Sequence, residues 1–129
     1  MIKVLIADDR AASRELIRTI LEADGYDVEE AVDGLDAVLC AEQCQPALII
    51  MDLQMPRLNG FEALRRLRQD RRFSSTPVLA LTASAMNGDR ERALAAGFTA
   101  YVTKPVSLTS LRSELKRLLD TRDLLAAGD

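Results

Sequence analysis

Five short segments, mostly β-branched or aliphatic, each followed by a stretch of helical period, constrain this chain more than any other feature. The segments are Lys3–Ala7, Asp27–Ala31, Ala47–Met51, Val78–Leu81 and Ala100–Thr103. Three are apolar almost throughout, as parallel strands buried on both faces are. Between them, large aliphatic residues recur at three- and four-residue steps. Leu16, Ile17, Ile20 and Leu21 mark a first helix, and Leu35, Val38 and Leu39 a second. Leu64 and Leu67, with Phe61 ahead of them, mark a third, and Leu94 lies in a short, alanine-rich fourth. Leu108, Leu111, Leu115, Leu118 and Leu119 mark a fifth, with Ser107 as its expected N-cap. Five strand–helix units in strict alternation predict an α/β fold, a parallel sheet with helices on both faces.

The punctuation agrees. Gly25 and Gly97 read as helix C-caps that need positive φ, and Pro46 and Pro77 precede strands. Arg71–Thr76 reads as the fraying end of the third helix. Periodicity fades over Thr121–Asp129, where Leu124 and Leu125 either extend the fifth helix or begin a linker. The expected organisation is one domain over residues 1–120 with a C-terminal tail at 121–129.

Composition limits the function classes. A chain of 129 residues buries enough surface to fold without disulfides. Aromatics are only 4% and Trp is absent, so the core must be aliphatic. A formal net charge of −3 argues against nucleic acid as a partner. The densest basic run, Arg65, Arg66, Arg68, Arg71 and Arg72, reads as a solvated helix face and its end. Cys40 and Cys44 fall on one helix face, where a disulfide would strain the helix, so they read as small hydrophobes in a reducing compartment. No apolar run reaches the roughly 20 residues of a membrane helix, and Met1–Asp8 lacks signal-peptide features. A cytoplasmic protein is expected.

In open parallel sheets, functional groups gather at the carboxyl ends of the strands. The first strand runs into Asp8 and Asp9, the third into Asp52, the fourth into Thr82 and the fifth into Lys104. The second ends without such a group. Three carboxylates brought together resist joint ionisation, and a hard divalent cation relieves the repulsion. Mg²⁺ takes oxygen ligands octahedrally and keeps waters that phosphate oxygens can replace. An ammonium and a hydroxyl beside them suit phosphoryl transfer to a carboxylate nucleophile. Each residue alone has an ordinary role: cap, turn or surface charge. Their joint placement at four strand ends carries the argument.

The stretches VLIADD (Val4–Asp9), LIIMDLQMP (Leu48–Pro56) with Asn59-Gly60, LTA (Leu81–Ala83), and Ala96-Gly97 followed by YVTKP (Tyr101–Pro105) occur in this order. Over residues 2 to 120 the chain resembles the receiver domain of bacterial two-component systems. That resemblance implies a flavodoxin-like fold with strand order 2-1-3-4-5. It implies Asp52 as phosphoacceptor. It implies Mg²⁺ held by Asp9 directly, Asp8 through water, Asp52, and the backbone carbonyl of Gln54. Thr82 would be the switch hydroxyl, Tyr101 the switch aromatic, and Lys104 the partner of a phosphoryl oxygen, followed by a cis bond to Pro105. Gln54 and Ser84 occupy positions that tune hydrolysis, and the small Ala83 leaves room for water or a phosphatase. The implied phosphodonor is a phosphohistidine on a histidine kinase or phosphotransfer protein. This chain has no histidine of its own. The implied output face is the fourth helix, fifth strand and fifth helix. The implied activity is self-phosphorylation and slow self-dephosphorylation, not conventional enzyme turnover.

Phe98-Thr99-Ala100 departs from the acidic pattern that DNA-binding members use in dimer ion pairs, so a direct nucleic-acid output is not expected. Leu81–Gly97 resembles stand-alone cell-cycle receivers and those of hybrid kinases. Met1 at the start of the first strand favours a stand-alone protein, but a receiver module excised from a hybrid histidine kinase or larger regulator would read the same. A haloacid-dehalogenase phosphatase needs a second Asp two residues after the first, where this chain has Gln54. Nucleotide-binding glycine motifs are absent. A degenerate receiver acting as a constitutive binding module would lack part of the site set, which is complete here.

Overall fold

The computed structural model describes residues 2–83 and 89–127. Its strands are β1 (Lys3–Ala7), β2 (Asp27–Ala31), β3 (Leu48–Asp52), β4 (Val78–Thr82) and β5 (Ala100–Thr103). They form one parallel sheet in the order β2-β1-β3-β4-β5. The helices are α1 (Ala11–Ala23), α2 (Gly34–Cys44), α3 (Gly60–Arg68), α4 (Asp89–Ala96) and α5 (Leu108–Ala127).

Strand side chains alternate between two cores. Val4, Ile6, Leu48, Ile50, Leu79 and Leu81 face α1 and α5. Leu5, Ala7, Ile49, Met51, Val78 and Ala80 face α2, α3 and α4. Covering both faces explains why the central strands are apolar without interruption. β2 pairs only with β1, and its Glu29 and Glu30 stay partly exposed.

Several helix expectations need correction. Leu16, Leu39, Leu94 and Leu108 are 42 to 50% exposed. In α1 the buried stripe is Ile17, Ile20 and Leu21. Leu16 sits one position off it, about 100° around the helix. α2 packs through Gly34, Ala37 and Ala41 rather than through its large residues. Small side chains bring that helix axis close to the sheet and leave Leu35 and Val38 at the margins. In α4, Ala93 is buried and Leu94 is not.

The segment after α3 does not fray. Asp70 caps a 3-10 turn, Arg71–Phe73, and Phe73 is 2% exposed in the core. Arg68 donates to the carbonyls of Phe73 and Thr76 at 2.6 Å and of Gly97 at 3.2 Å. Within the basic run it is therefore a structural tie. β3 ends at Asp52 and β4 at Thr82, so both residues finish their strands rather than follow them. The backbone of α5 continues to Ala127, which resolves Leu124 and Leu125 as helical.

Other expectations hold. Gly25 and Gly97 have φ of 87° and 111°, and the Ser107 hydroxyl accepts from Ser110 N–H at 3.3 Å. Cys40 and Cys44 are free and half-buried. No helix among the described residues is long and apolar enough to cross a membrane.

Candidate phosphoacceptor site

Sheet register assembles the site. Ala7 pairs with Met51, Asp52 with Leu81, and Thr82 with Thr103. Asp8 therefore leaves β1 level with Asp52, and Lys104 leaves β5 just beyond Thr82. Asp8, Asp9 and Asp52 each offer a carboxylate oxygen within 4.8 Å of the others.

Asp8 is fully buried and Asp9 is exposed. One Asp8 oxygen accepts from Arg10 N–H at 2.9 Å, the other from Lys104 Nζ at 2.8 Å. The same ammonium donates to Asp52 Oδ2 at 2.8 Å, and Asp52 Oδ1 accepts from Gln54 N–H at 3.0 Å. Burial alone would raise the Asp8 pKa. The Lys104 ammonium, with help from Ser13 and the Arg10 N–H, outweighs it and holds the carboxyl below the usual range. Burial would likewise lower the Lys104 pKa, but hydrogen bonds to Asp52 and Asp8 raise it. The Asp8 carbonyl also accepts from Arg14 at 2.9 Å, and Arg14 is held by Glu30.

The residues fit a divalent cation. All three carboxylates are oxygen donors of the kind Mg²⁺ takes. Three carboxylates against one ammonium leave two formal negative charges uncompensated at the cluster. Asp9 opens onto a cleft of about 600 Å³ that is also lined by Gln54, Phe61, Thr82 and Arg92.

Thr82 is buried at the end of β4. Tyr101 pairs with Ala80 and packs, half-buried, against the α4-side core. Two residues on from Ala80, Thr82 shares that sheet face, so it lies diagonal to Tyr101. The Lys104–Pro105 bond is cis. Ser84 lies outside the described residues.

Sequence reasoning missed two features. The first follows β2, said to end without a functional group. Asp33 lies two residues beyond it and is buried, and it pairs with Arg57 rather than joining the acidic cluster. The Asp33-Gly34 doublet was the available signal. The second is Arg92, whose guanidinium sits 5.4 Å from the Phe61 ring centroid at the cleft wall. Nothing in its neighbouring sequence marks it.

The model of the family "Response regulator receiver domain" matches residues 4–116. The chain is 39% identical over 123 residues to the DNA-binding dual master transcriptional regulator RpaA of Synechocystis sp.. That match covers 95% of this chain but only 51% of RpaA, so the chain spans about half of that relative. It is 37% identical to the polar-differentiation response regulator DivK of Brucella ovis, covering 90% of this chain and 94% of DivK. Among solved structures, the receiver domain of sensor histidine kinase PA1611 from Pseudomonas aeruginosa PAO1 superposes with a TM-score of 0.85 at 35% identity. That superposition covers 92% of this chain and 97% of the other, which has a magnesium ion coordinated in its active-site cleft.

Proposed function

Because the chain belongs to the response-regulator receiver family, we propose that Asp52 is its phosphoacceptor and that the domain is a phosphorylation-operated switch in a two-component phosphorelay. Receiver domains are signalling modules rather than conventional enzymes, and the chemistry proposed here is limited to the domain's own acceptor. The donor is a phosphohistidine on a histidine kinase or phosphotransfer protein in the cytoplasm. An Asp52 carboxylate oxygen attacks phosphorus, an O–P bond forms, and the donor's P–N bond breaks with its electron pair leaving on the imidazole. Slow attack by water later releases phosphate and restores Asp52.

The observation that carries this reading is the setting of Asp52. It is 6% exposed, with one oxygen on Lys104, the other on Gln54 N–H, and two further carboxylates within 4.8 Å. Asp9, Asp52 and the Gln54 backbone carbonyl are the proposed direct ligands of Mg²⁺, with Asp8 helping through water, and the ion when bound would neutralise charge on the transferring phosphoryl oxygens. Lys104 is already on Asp52 and exchanges a carboxylate oxygen for a phosphoryl oxygen with little movement. Thr82 turns its hydroxyl to another phosphoryl oxygen, and Tyr101, diagonal to it on the same sheet face, follows inward. Gln54 and Ser84 tune the approach of hydrolytic water. The changed surface is α4, β5 and α5, and it engages a downstream protein rather than nucleic acid.

The test supplies Mg²⁺ with acetyl phosphate, or with beryllofluoride as an acyl-phosphate mimic. Intact mass should gain one phosphoryl group, and amide resonances near Asp52, Thr82 and Tyr101 should shift. Wild type that stays silent, or an Asp52→Asn variant that responds equally, overturns the assignment.

A further inference from the structure

One charged pair outside the acidic cluster ties two loops together. The Asp33 side chain is 7% exposed. Its Oδ1 accepts from Asp36 N–H at 2.8 Å and so caps α2. Its Oδ2 accepts from Arg57 Nε at 2.9 Å and Nη2 at 2.6 Å. Arg57 belongs to the loop that follows Asp52 and has φ of 66°. The turn around it closes between Leu58 N–H and the Pro56 carbonyl at 2.7 Å. A non-glycine residue in that conformation is strained, and it persists only where its surroundings over-determine it.

Those surroundings are the start of α2. A Cβ on Gly34 would come 1.7 Å from the Leu58 carbonyl oxygen, so the helix packs directly on the loop backbone. The near end of the loop belongs to the phosphoacceptor site. Gln54 N–H donates to Asp52 Oδ1, and Gly60 N–H donates to the Leu53 carbonyl at 3.0 Å. A Cβ on Gly60 would come 2.5 Å from the Asp52 carbonyl oxygen.

We infer that Asp33 and Arg57 are a positioning pair for the phosphoacceptor site. By clamping the turn at Arg57, they hold the 53–59 loop in one arrangement before any cation arrives, and with it the Gln54 backbone and the Asp52 carboxylate. The inference rests on the cation-assisted acceptor role proposed for Asp52. Its physical content is a population. A loop released from the clamp occupies the binding geometry only part of the time, and apparent affinity falls by that fraction. Neither residue touches the cation or the phosphoryl group.

The experiment compares wild type with Arg57→Ala, Arg57→Lys, Arg57→Gly, Asp33→Asn and the Asp33→Asn/Arg57→Ala double variant. Asp33→Asn keeps an oxygen to cap α2 and removes the charge. Two readouts are taken: amide exchange of Leu58 and Gly60 in metal-free protein, and the Mg²⁺ dissociation constant from amide chemical shifts. Arg57→Ala should speed both exchanges and weaken Mg²⁺ about three- to tenfold. Arg57→Lys should fall in between. The double variant should be no worse than the poorer single one, because both changes open the same clamp. Arg57→Gly relieves the backbone strain and should recover thermal stability but not Mg²⁺ affinity, which separates positioning from mere structure. Wild-type affinity in Arg57→Gly, unchanged exchange in Arg57→Ala, or additive losses in the double variant would each overturn the inference. If Arg57→Ala does not fold, Arg57→Lys and Arg57→Gly carry the comparison. A wild type that ignores Mg²⁺ overturns the cation role of Asp52 instead, while exchange in the metal-free protein still decides the clamp.

Discussion

Lys104 Nζ lies 2.8 Å from Asp52 Oδ2 and the same distance from Asp8 Oδ2. One ammonium thus joins β5 to β1 and β3 and neutralises part of a buried acidic cluster. Lys104→Met removes it and leaves Asp8 buried without its counter-charge. The metal-free variant should lose about 3 kcal/mol at neutral pH, the scale for breaking a buried pair. Chemical denaturation with and without Mg²⁺ checks this, and added Mg²⁺ should restore part of the loss.

The pH dependence has a definite sign. The Asp8 carboxyl is held below its ordinary 3.8, so its contribution is present above that value and is lost as pH falls through the lowered one. Lys104 is raised above 10.5, so its contribution is present below that value and is lost as pH rises through the raised one. Stability from this pair should therefore be flat between those limits. In Lys104→Met, carboxyl-carbon NMR should show Asp8 titrating at higher pH than in wild type.

Asp9 should separate binding from folding. It is exposed at the cleft, so Asp9→Asn should change stability by less than about 0.5 kcal/mol. Mg²⁺ affinity should fall about tenfold or more, because one anionic oxygen donor is replaced by a neutral one. A titration that matches wild type would remove Asp9 from the ligand set.

Phe73 tests the turn after α3. At 2% exposure, its truncation to Ala should cost about 3–5 kcal/mol. Arg68→Ala leaves the Phe73, Thr76 and Gly97 carbonyls without that donor and should cost about 1.5–3 kcal/mol. Equilibrium denaturation of both variants provides the measurement. Losses under 0.5 kcal/mol would mean that the segment frays after all.

Burial pushes the Cys40 thiol up to about 12, helped by the neighbouring Cys44. At neutral pH very little thiolate is present, so alkylation by iodoacetamide should be slow in the native protein and fast after unfolding. Mass spectrometry over time distinguishes the two.

How legible each feature was depends on how local its cause is. Asp52, Thr82 and Lys104 could be read because each closes or follows an apolar run, and parallel strands bring such ends to one edge. Leu16 and Leu39 misled because helical period marks a stripe only to within one position, and the sheet decides which flank it covers. The Arg71–Thr76 stretch looked polar, yet one aromatic, Phe73, anchors it. Asp33 and Arg57 are 24 residues apart. Nothing in either neighbourhood announces a pair made only when α2 docks on the loop.

By itself, the sequence determined the alternation of strands and helices, the aliphatic two-sided core and the set of oxygen and nitrogen groups available at the strand ends. These follow from side-chain chemistry and period, which act locally. The tertiary structure decided how that set is used. Pairing of β1 with β3 set Asp8 level with Asp52, and there it is sealed beneath Lys104, while its neighbour Asp9 is exposed at the cleft. Sheet register set Asp52 within 2.8 Å of Lys104 Nζ. The close approach of Gly34 to Leu58 brought Asp33 onto Arg57. Such choices depend on contacts between elements distant in sequence, and those exist only once the chain has folded.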